Sequence, residues 1–275
     1  MNFKKIGLFL GPLLFILTRL FFSSEGLTDE ANAVLASTLW IAVWWITETI
    51  PIAATSLLPI ILFPLSGALP LTQTSSSFGH PYVFLYLGGF ILALAIEKWN
   101  LHKRIALNII KLIGTDLKKI ILGFMIATAF LSMWISNTAT AVMMLPIGIA
   151  IIKQMKDLKS TTDDENLIFG KALMLSIAFS ASIGGISTLI GTPPNLVFAG
   201  IVQELYNIEI SFLKWIALGL PISITLLTIS WFYLTRVAFS FSQNNFDQGK
   251  VEIKRQLAEL GKMSYEEKVV LFIFL

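Results

Sequence analysis

Residues 120–152 read IILGFMIATAFLSMWISNTATAVMMLPIGIAII, and this stretch decides how the rest of the chain is arranged. It is too long for one membrane-spanning helix, which needs roughly 20 apolar residues, and too short for two spans with a turn. Two apolar arms, 120–135 and 141–152, flank the polar cluster SNTAT at 136–140. The sequence therefore predicts a re-entrant hairpin whose polar tip lies near mid-membrane and faces protein or water.

The composition places the chain in a lipid bilayer. Of its 275 residues, 55% are hydrophobic and 13% are charged, and the mean hydropathy is +0.77. Such a chain has too little polar surface for a water-soluble domain of this size. It contains no cysteine, and its two histidines, His80 and His102, are expected in solvated loops, so we expect neither a disulfide framework nor a resident metal or cofactor.

Other apolar runs predict ordinary helical spans. They lie at 6–22, 31–49, 51–69, 82–97 and 213–235. One more run, 172–203, is too long for a single span and is interrupted by GTPPN at 191–195. Because proline lacks the helical donor but fits the first turn of a helix, a second half-helix is expected to start near Pro193, with Thr192 as its N-cap.

The distribution of basic residues predicts the topology. If Lys4 and Lys5 lie inside, all 20 Lys and Arg residues except Arg19 and Lys214 fall on the inner side, in short loops rather than in one patch. This holds only if 120–152 enters and leaves on the inner side while each ordinary run crosses once. The scattered charge also argues against a nucleic-acid partner.

These considerations divide the chain into segments. The predicted segments are four scaffold-like transmembrane helices in 1–97, an inner-surface amphipathic connector at 98–119, the re-entrant hairpin at 120–152, a cytoplasmic loop at 153–171, a broken transmembrane helix at 172–205, a transmembrane helix at 211–236, a cytoplasmic linker at 237–268 and the start of a further helix at 269–275. The last apolar run stops at Leu275, so we expect a second membrane portion to follow. In the connector, one apolar side is predicted to comprise Leu101, Ile105, Ile109, Leu112 and Ile113.

The polar tip offers ligands for both signs of charge. The first arm ends there with free carbonyls, and the second begins there with free amides. Ser132 and Ser136 share a face of the first arm, where hydroxyls can join carbonyls around a cation. Asn137 and Thr138 suit an anion beside the amides of the second arm.

The broken helix repeats this pattern. Gly184 and Gly185 are expected to loosen it, and 191–195, which includes Pro194 and Asn195, to interrupt it. For Ser176 and Ser180, which share a face with Gly184, close helix packing is favoured over a ligand role. For Glu48, an interfacial or structural role is favoured over a proton relay.

The motifs WWITETIP at 44–51, SNTATA at 136–141 and GTPPN at 191–195 occur in an order that resembles the divalent anion/sodium symporter family. The resemblance covers the whole chain but about half of a family member. It implies an all-α polytopic membrane protein that forms the first of two inverted repeats. Each repeat has a re-entrant hairpin and a broken helix, and the whole is an elevator-type homodimer. We expect it in the plasma membrane, which in bacteria is the inner membrane.

The resemblance also implies roles for matched residues. Ser132, Ser136 and Asn137, with a backbone carbonyl near Gly191, correspond to the first sodium site. Asn137 and Thr138 correspond to ligands of one substrate carboxylate. A second Ser-Asn-Thr motif and a second sodium site are expected beyond Leu275.

The implied function is sodium-coupled symport of small divalent anions, such as the C4-dicarboxylates succinate and malate. Alternatives are a sulfate or citrate carrier, an arsenite or sodium/proton antiporter of the broader ion-transporter superfamily, and a non-transporting receptor-like fragment. A proton-coupled carrier would bury an ionisable residue on its pathway, and neither polar break contains one. Ser132 and Ser136 have no base nearby in the sequence, so an enzyme with catalytic residues is not expected.

Overall fold

The computed structural model describes residues 3–114, 116–156, 163–239, 241 and 247–274, and the secondary structure within these ranges is helical. The chain divides into two compact units, one ending at Phe84 and one beginning at Leu85.

The first unit is built on a pair of helices packed along each other, α1 and α2. Its helices are α1 (Phe3–Phe21), α2 (Asp29–Thr47), α3 (Ile52–Thr55), α4 (Leu58–Ser66) and α5 (Leu71–Phe78). The run at 51–69, predicted as one continuous helix, is divided into two short helices, α3 and α4. Pro59 explains the interruption, since it has no amide for the carbonyl of Thr55 and its ring clashes with that carbonyl in a continuous helix.

The motif at 44–51 joins the end of α2 to α1. The indole of Trp44 donates to the carbonyl of Gly7 at 3.0 Å, and the hydroxyl of Thr49 donates to the carbonyl of Lys4 at 3.2 Å. Glu48 is the C-cap of α2, with a left-handed backbone (φ 46°). These contacts give the motif a structural role within this unit.

The second unit contains both predicted polar breaks. Its helices are α6 (Pro81–Lys98, which starts in the first unit), α7 (Leu101–Ile113), α8 (Leu117–Ser132), α9 (Asn137–Lys156), α10 (Asp163–Ile186), α11 (Pro193–Tyr206), α12 (Phe212–Phe232) with a π-helical continuation (Tyr233–Ala238), α13 (Asp247–Glu259) and α14 (Tyr265–Phe274). Helix α10 packs along both α8 and α9, which contact each other much less. The hairpin arms therefore diverge from their turn on either side of α10.

Helices extend into two segments that were predicted as loops. In the predicted loop 153–171, α9 continues to Lys156 and α10 begins at Asp163. In the predicted linker 237–268, α13 packs against α7 and α9. The rest of these two predictions, at 157–162, 240 and 242–246, lies outside the described residues.

Helix α7 spans Leu101 to Ile113, the same residues as the apolar side predicted for the connector, but much of its apolar surface is buried in the protein. The face packed into the protein contains Leu101, Ala106, Leu107 and Ile110, all fully buried. Of the predicted apolar side, Leu101 belongs to this buried face and Ile105 and Ile109 pack against the core, whereas Leu112 is 85% exposed. A helix of this kind can pack on protein with one side and on the bilayer surface with the other.

The expectation that His102 lies in a solvated loop is wrong. His102 is in α7, is 8% exposed, and its Nδ1 lies 3.2 Å from the carbonyl oxygen of Ile96. Burial lowers the pKa of this imidazole, because desolvation disfavours the charged form.

Four helical stretches in the described part of the chain are long and apolar enough to cross a membrane, which fits a polytopic membrane protein. They are Leu71–Lys98, Asn137–Met155, Asp164–Ile186 and Phe212–Ala238. Helices α1 and α2 have 19 residues each but carry charged residues near their ends. Helix α9, the second arm of the predicted hairpin, is long enough to span a membrane by itself.

Candidate functional site

The turn between α8 and α9 holds the polar cluster that the sequence singles out. Helix α8 ends at Ser132, which is fully buried, and α9 begins at Asn137, which is partly buried. Ser136 is also partly buried, and its hydroxyl accepts a hydrogen bond from the amide of Ala139 at 3.3 Å, as an N-cap side chain does. Thr138 is exposed.

The second polar break separates α10 from α11. Helix α10 runs through Gly184 and Gly185 to Ile186, so these glycines do not loosen the helix, contrary to expectation. The break occupies 187–192, and α11 begins at Pro193, the residue at which the sequence predicts a new helix.

Gly184 and Gly185 instead allow close packing. A Cβ atom on Gly184 would lie 2.3 Å from the carbonyl oxygen of Ala129, and one on Gly185 would lie 2.2 Å from Oδ1 of Asn137. A Cβ on Gly191 would lie 2.4 Å from the carbonyl oxygen of Gly185. Glycine at 184 and 185 lets α10 approach α8 and the first break this closely, and glycine at 191 lets the second break fold against the end of α10.

Thr192 occupies the N-cap position of α11, but its side chain makes no capping hydrogen bond. One of the amides that such a hydroxyl usually binds belongs to Pro194, which has no N–H, and the amide of Asn195 binds the carbonyl of Thr192 at 3.1 Å. Pro193 and Pro194 together remove two of the free amides of a helix N-terminus. Helix α11 therefore offers an anion fewer donors than α9.

Hydrogen bonds from Thr188 and Asn195 hold the second break in place. The Thr188 hydroxyl donates to the carbonyl of Met133 in the first turn, and it accepts from the amide of Gly191 at 3.0 Å. The Asn195 side-chain amide donates to the carbonyls of Gly185 at 2.9 Å and Thr188 at 2.7 Å. The sequence analysis missed Thr188, since a hydroxyl pair such as Ser187 and Thr188 in an apolar stretch is also typical of close helix packing.

The last four carbonyls of α10 all accept hydrogen bonds, as buried carbonyls must in a membrane. The donors to the carbonyls of Ile183, Gly184, Gly185 and Ile186 are, in order, the Ser223 hydroxyl, the Ser187 amide, the Asn195 side chain and the Trp215 indole. The carbonyls of Ser132 and Gly191 accept none from any residue that the structure describes. These two oxygens therefore remain available to a ligand.

Oxygen atoms also converge on Ser132. Its hydroxyl lies 2.9 Å from Oδ1 of Asn137 and 2.6 Å from the carbonyl oxygen of Ala181. A hydroxyl has one proton, so it donates to only one of these oxygens at a time. The three oxygens form a compact group with unused acceptor capacity, and neutral oxygens grouped in this way can coordinate a cation.

The N-terminus of α9 offers hydrogen-bond donors, which suit an anion. The amides of Asn137 and Thr138 make no backbone hydrogen bond to any part of the chain that the structure describes. They lie at the positive end of a 20-residue helix. Free amides at such an end bind anions.

Ser176 and Ser180 are fully buried in α10. The Ser176 hydroxyl donates to the carbonyl of Leu173 at 2.7 Å, which is a bond within its own helix. The Ser180 hydroxyl has no hydrogen-bond partner among the described residues. Neither contacts the two breaks through a hydrogen bond.

A cavity of about 420 Å³ between α8 and α12 is mostly apolar. It is lined mainly by apolar side chains such as Leu122, Ile126 and Leu227, with hydroxyls from Ser187, Ser223 and Thr228. An anion would lose its hydration there without gaining charged or amide partners. No cluster of His, Asp or Glu that could hold a metal occurs in the ranges covered by the structure.

The family model described as "Citrate transporter" matches residues 42–275. Among curated relatives, the "Sodium-dependent dicarboxylate transporter SdcS" of Staphylococcus aureus strain bovine RF122 / ET3-1 is 55% identical over 273 residues. The proteins of the same name from strains USA300 and NCTC 8325 / PS 47 are 54% identical over 273 residues.

Each alignment covers 98% of this chain and 52% of the relative. The chain thus spans about half the length of the curated relatives it matches. Their names describe transport rather than catalysis. The family match covers most of the chain and agrees with the resemblance drawn from the three sequence motifs. The chain therefore belongs to the citrate transporter family, in agreement with the resemblance of its sequence motifs to the divalent anion/sodium symporters.

Proposed function

We propose that the full-length protein is a sodium-coupled symporter of C4-dicarboxylates such as succinate and malate. The observation that carries this proposal is the meeting of the two helix breaks. A buried cluster of neutral oxygens lies there beside the free amides of α9. Neither break contains an ionisable residue.

For sodium, the proposed ligands are neutral oxygens. They are the side-chain oxygens of Ser132, Ser136 and Asn137 and the carbonyl of Gly191. The carbonyl of Ser132, which accepts no hydrogen bond from the described chain, can complete the set. Hydroxyls and unwound carbonyls of this kind hold coupling ions in secondary transporters.

For the substrate, the proposed ligands of one carboxylate are the side chains of Asn137 and Thr138 with their backbone amides. Thr138 is exposed, so an anion can reach the N-terminus of α9 without rearrangement of this turn. The second carboxylate is proposed to bind an equivalent motif in the second inverted repeat of the full-length protein.

The sharing of Asn137 gives a physical basis for coupling. A site built from neutral groups gains a positive charge when sodium binds. That charge lies one side chain away from the proposed carboxylate, where a medium of lower dielectric constant than water strengthens the attraction. Sodium should therefore raise the affinity for the anion, and the anion should raise the affinity for sodium by the same factor.

The names of the relatives support a dicarboxylate substrate and sodium as the coupling ion. By the same likeness, we propose two inverted repeats that move as an elevator within a homodimer. The proposed topology places 120–152 as a re-entrant hairpin in the plasma membrane, in bacteria the inner membrane. The charge distribution along the chain supports this arrangement.

The test is uptake of labelled succinate by proteoliposomes that contain the full-length protein. We expect an inward sodium gradient to drive uptake and an equal choline gradient not to. Asn137→Ala should reduce uptake to the level of empty liposomes. The matched control is Asn108→Ala, because Asn108 is exposed and donates only to the carbonyl of Arg104 in its own helix. Uptake that proceeds equally without sodium would refute the coupling.

Citrate is the second candidate substrate, because the matched family model is described as a citrate transporter. A competition panel separates the two. Unlabelled succinate and malate should inhibit uptake at lower concentrations than citrate or sulfate. If citrate or sulfate inhibits at the lower concentration, that anion is the substrate and the proposed C4-dicarboxylate is not.

A further inference from the structure

We infer that Thr188 is a positioning residue that sets the sodium affinity of the protein, by tying the backbone of Gly191 to the turn after α8. The inference rests on the proposed function, because it takes the meeting point of the two breaks as the sodium site. It adds a residue that has no place among the proposed ligands.

Thr188 connects parts of the second unit that are far apart in sequence. Its hydroxyl donates to the carbonyl of Met133, 55 residues earlier in the chain. The same oxygen accepts from the amide of Gly191 at 3.0 Å. The side chain is fully buried, with 0% exposure.

The backbone of Thr188 is tied as well. Its carbonyl accepts from the Asn195 side chain at 2.7 Å, and Asn195 also donates to the carbonyl of Gly185 at 2.9 Å. The break is thus fixed to the first turn of α11, to the end of α10 and to the turn after α8. Gly191 lies inside this closed set of hydrogen bonds.

Thr188 is unsuited to be a ligand itself. Its one proton is used by Met133, and one of its lone pairs accepts the Gly191 amide. The Gly191 carbonyl, in contrast, accepts no hydrogen bond within the described residues. Thr188 therefore acts through Gly191, by holding in place the backbone from which that carbonyl projects.

Thr188 is inferred to pre-organise the second break for sodium binding. An irregular segment that is free to move loses conformational entropy when a cation orders it, and a segment already held in the bound geometry does not. Loss of the hydroxyl would leave the partly buried Met133 carbonyl without its donor, and the Gly191 amide would keep only its 3.4 Å hydrogen bond to the Thr188 carbonyl. The break would then rearrange, and sodium would have to restore the geometry on binding.

The experiment compares Thr188→Val, which keeps the shape and removes the hydroxyl, with Thr188→Ser, which keeps the hydroxyl. Thr225→Val is the matched control, since Thr225 is exposed and donates to the carbonyl of Pro221 in its own helix. Each full-length variant is measured for the sodium concentration that gives half-maximal succinate uptake. A second readout is the rise in Tm with sodium in detergent, with choline at equal ionic strength as reference.

We expect Thr188→Val to raise the half-maximal sodium concentration about tenfold, the ratio that one lost hydrogen bond of roughly 1.4 kcal/mol produces. The maximal uptake rate and the KM for succinate at saturating sodium should stay near wild type. For Thr188→Ser and Thr225→Val, the half-maximal sodium concentration should stay within about twofold of the wild-type value, because neither variant removes the hydrogen bonds that the Thr188 hydroxyl makes.

Wild-type sodium affinity in Thr188→Val would overturn the inference, as would an equal loss in Thr188→Ser. If Thr188→Val does not yield folded protein, Thr188→Ala gives the same comparison, with the sodium-dependent rise in Tm as its readout. Failure of the proposed function looks different, because the wild-type protein itself would then respond to choline as it does to sodium.

Discussion

Replacing Glu267 with glutamine should release the start of α14 from α7. In the wild-type structure, Arg104 of α7 holds Glu267 with two hydrogen bonds, from Nε to Oε1 at 2.9 Å and from Nη2 to Oε2 at 3.1 Å. The same guanidinium donates to the carbonyls of Leu260 and Gly261. Glu267 in turn accepts from the amide of Ser264 at 2.7 Å, in a capping box that begins α14.

The free-energy cost of Glu267→Gln can be judged from the burial of the ion pair. The side chains of Arg104 and Glu267 are 14% and 6% exposed, so water replaces a lost partner poorly. Removing one partner of a buried ion pair typically costs about 3–5 kcal/mol. Glutamine keeps one acceptor, and Arg104 keeps two backbone carbonyls, so we expect about 2 kcal/mol for Glu267→Gln. The larger loss is expected for Arg104→Met, which leaves the carboxylate with only the Ser264 amide.

The pair should also respond to acid. The hydrogen bonds from Arg104 hold the pKa of the Glu267 carboxyl below its ordinary value of 4.5. The folded protein therefore binds this proton less readily than the unfolded chain, and the ion pair contributes its full stability above pH 4.5. That contribution is lost as the pH falls below this value. The Glu267→Gln variant should lack this dependence on pH.

The assay is hydrogen exchange of peptides from 260–274 in the full-length protein, since opening of this segment exposes its amides. A change of about 2 kcal/mol corresponds to roughly thirtyfold faster exchange. The matched control is Glu266→Gln, because Glu266 makes no ion pair or hydrogen bond through its side chain among the described residues. Unchanged exchange in both Glu267→Gln and Arg104→Met, or an equal effect in the control, would refute the reasoning.

Two further predictions concern the hairpin and its site. Gly185→Ala should abolish succinate uptake, because the new Cβ would lie 2.2 Å from Oδ1 of Asn137, whereas Gly88→Ala should be neutral, because a Cβ there meets nothing within 4 Å. Overpacking of this kind typically costs about 1–3 kcal/mol, so an active Gly185→Ala variant would show that Asn137 does not need its present position. Single cysteines at Lys119 and Lys153, both exposed, should react with an impermeant maleimide from the cytoplasmic side only, since this chain has no cysteine of its own. Labelling from opposite sides would mean that 120–152 crosses the membrane.

Some features follow from local chemistry and could be predicted from the sequence. Proline has no amide and a fixed φ angle, so the start of α11 at Pro193 follows from the residue itself. The bounds of α7 follow from the alternation of apolar and charged residues. The same reasoning missed the division of 51–69 into α3 and α4, since it weighed hydrophobic length and overlooked Pro59.

Other features depend on which side of a helix meets a neighbour. His102 was expected in water and is buried, because α7 turns that side towards the protein. Gly184 and Gly185 were expected to weaken α10 and instead allow it to approach Ala129 and Asn137. A glycine can weaken a helix or allow it to pack closely against another, and the neighbouring residues in the fold decide which effect occurs.

The sequence by itself determined that this chain belongs in a membrane, that it is helical, and that two polar segments interrupt its apolar runs. Hydropathy, proline and the loop charges act locally, so they can be read along the chain. Only the tertiary structure decided that the two interruptions meet. The contacts that join them, such as that of Thr188 with Met133, link residues 55 positions apart. Partners so distant are chosen by the packing of α10 between α8 and α9, which no local pattern encodes.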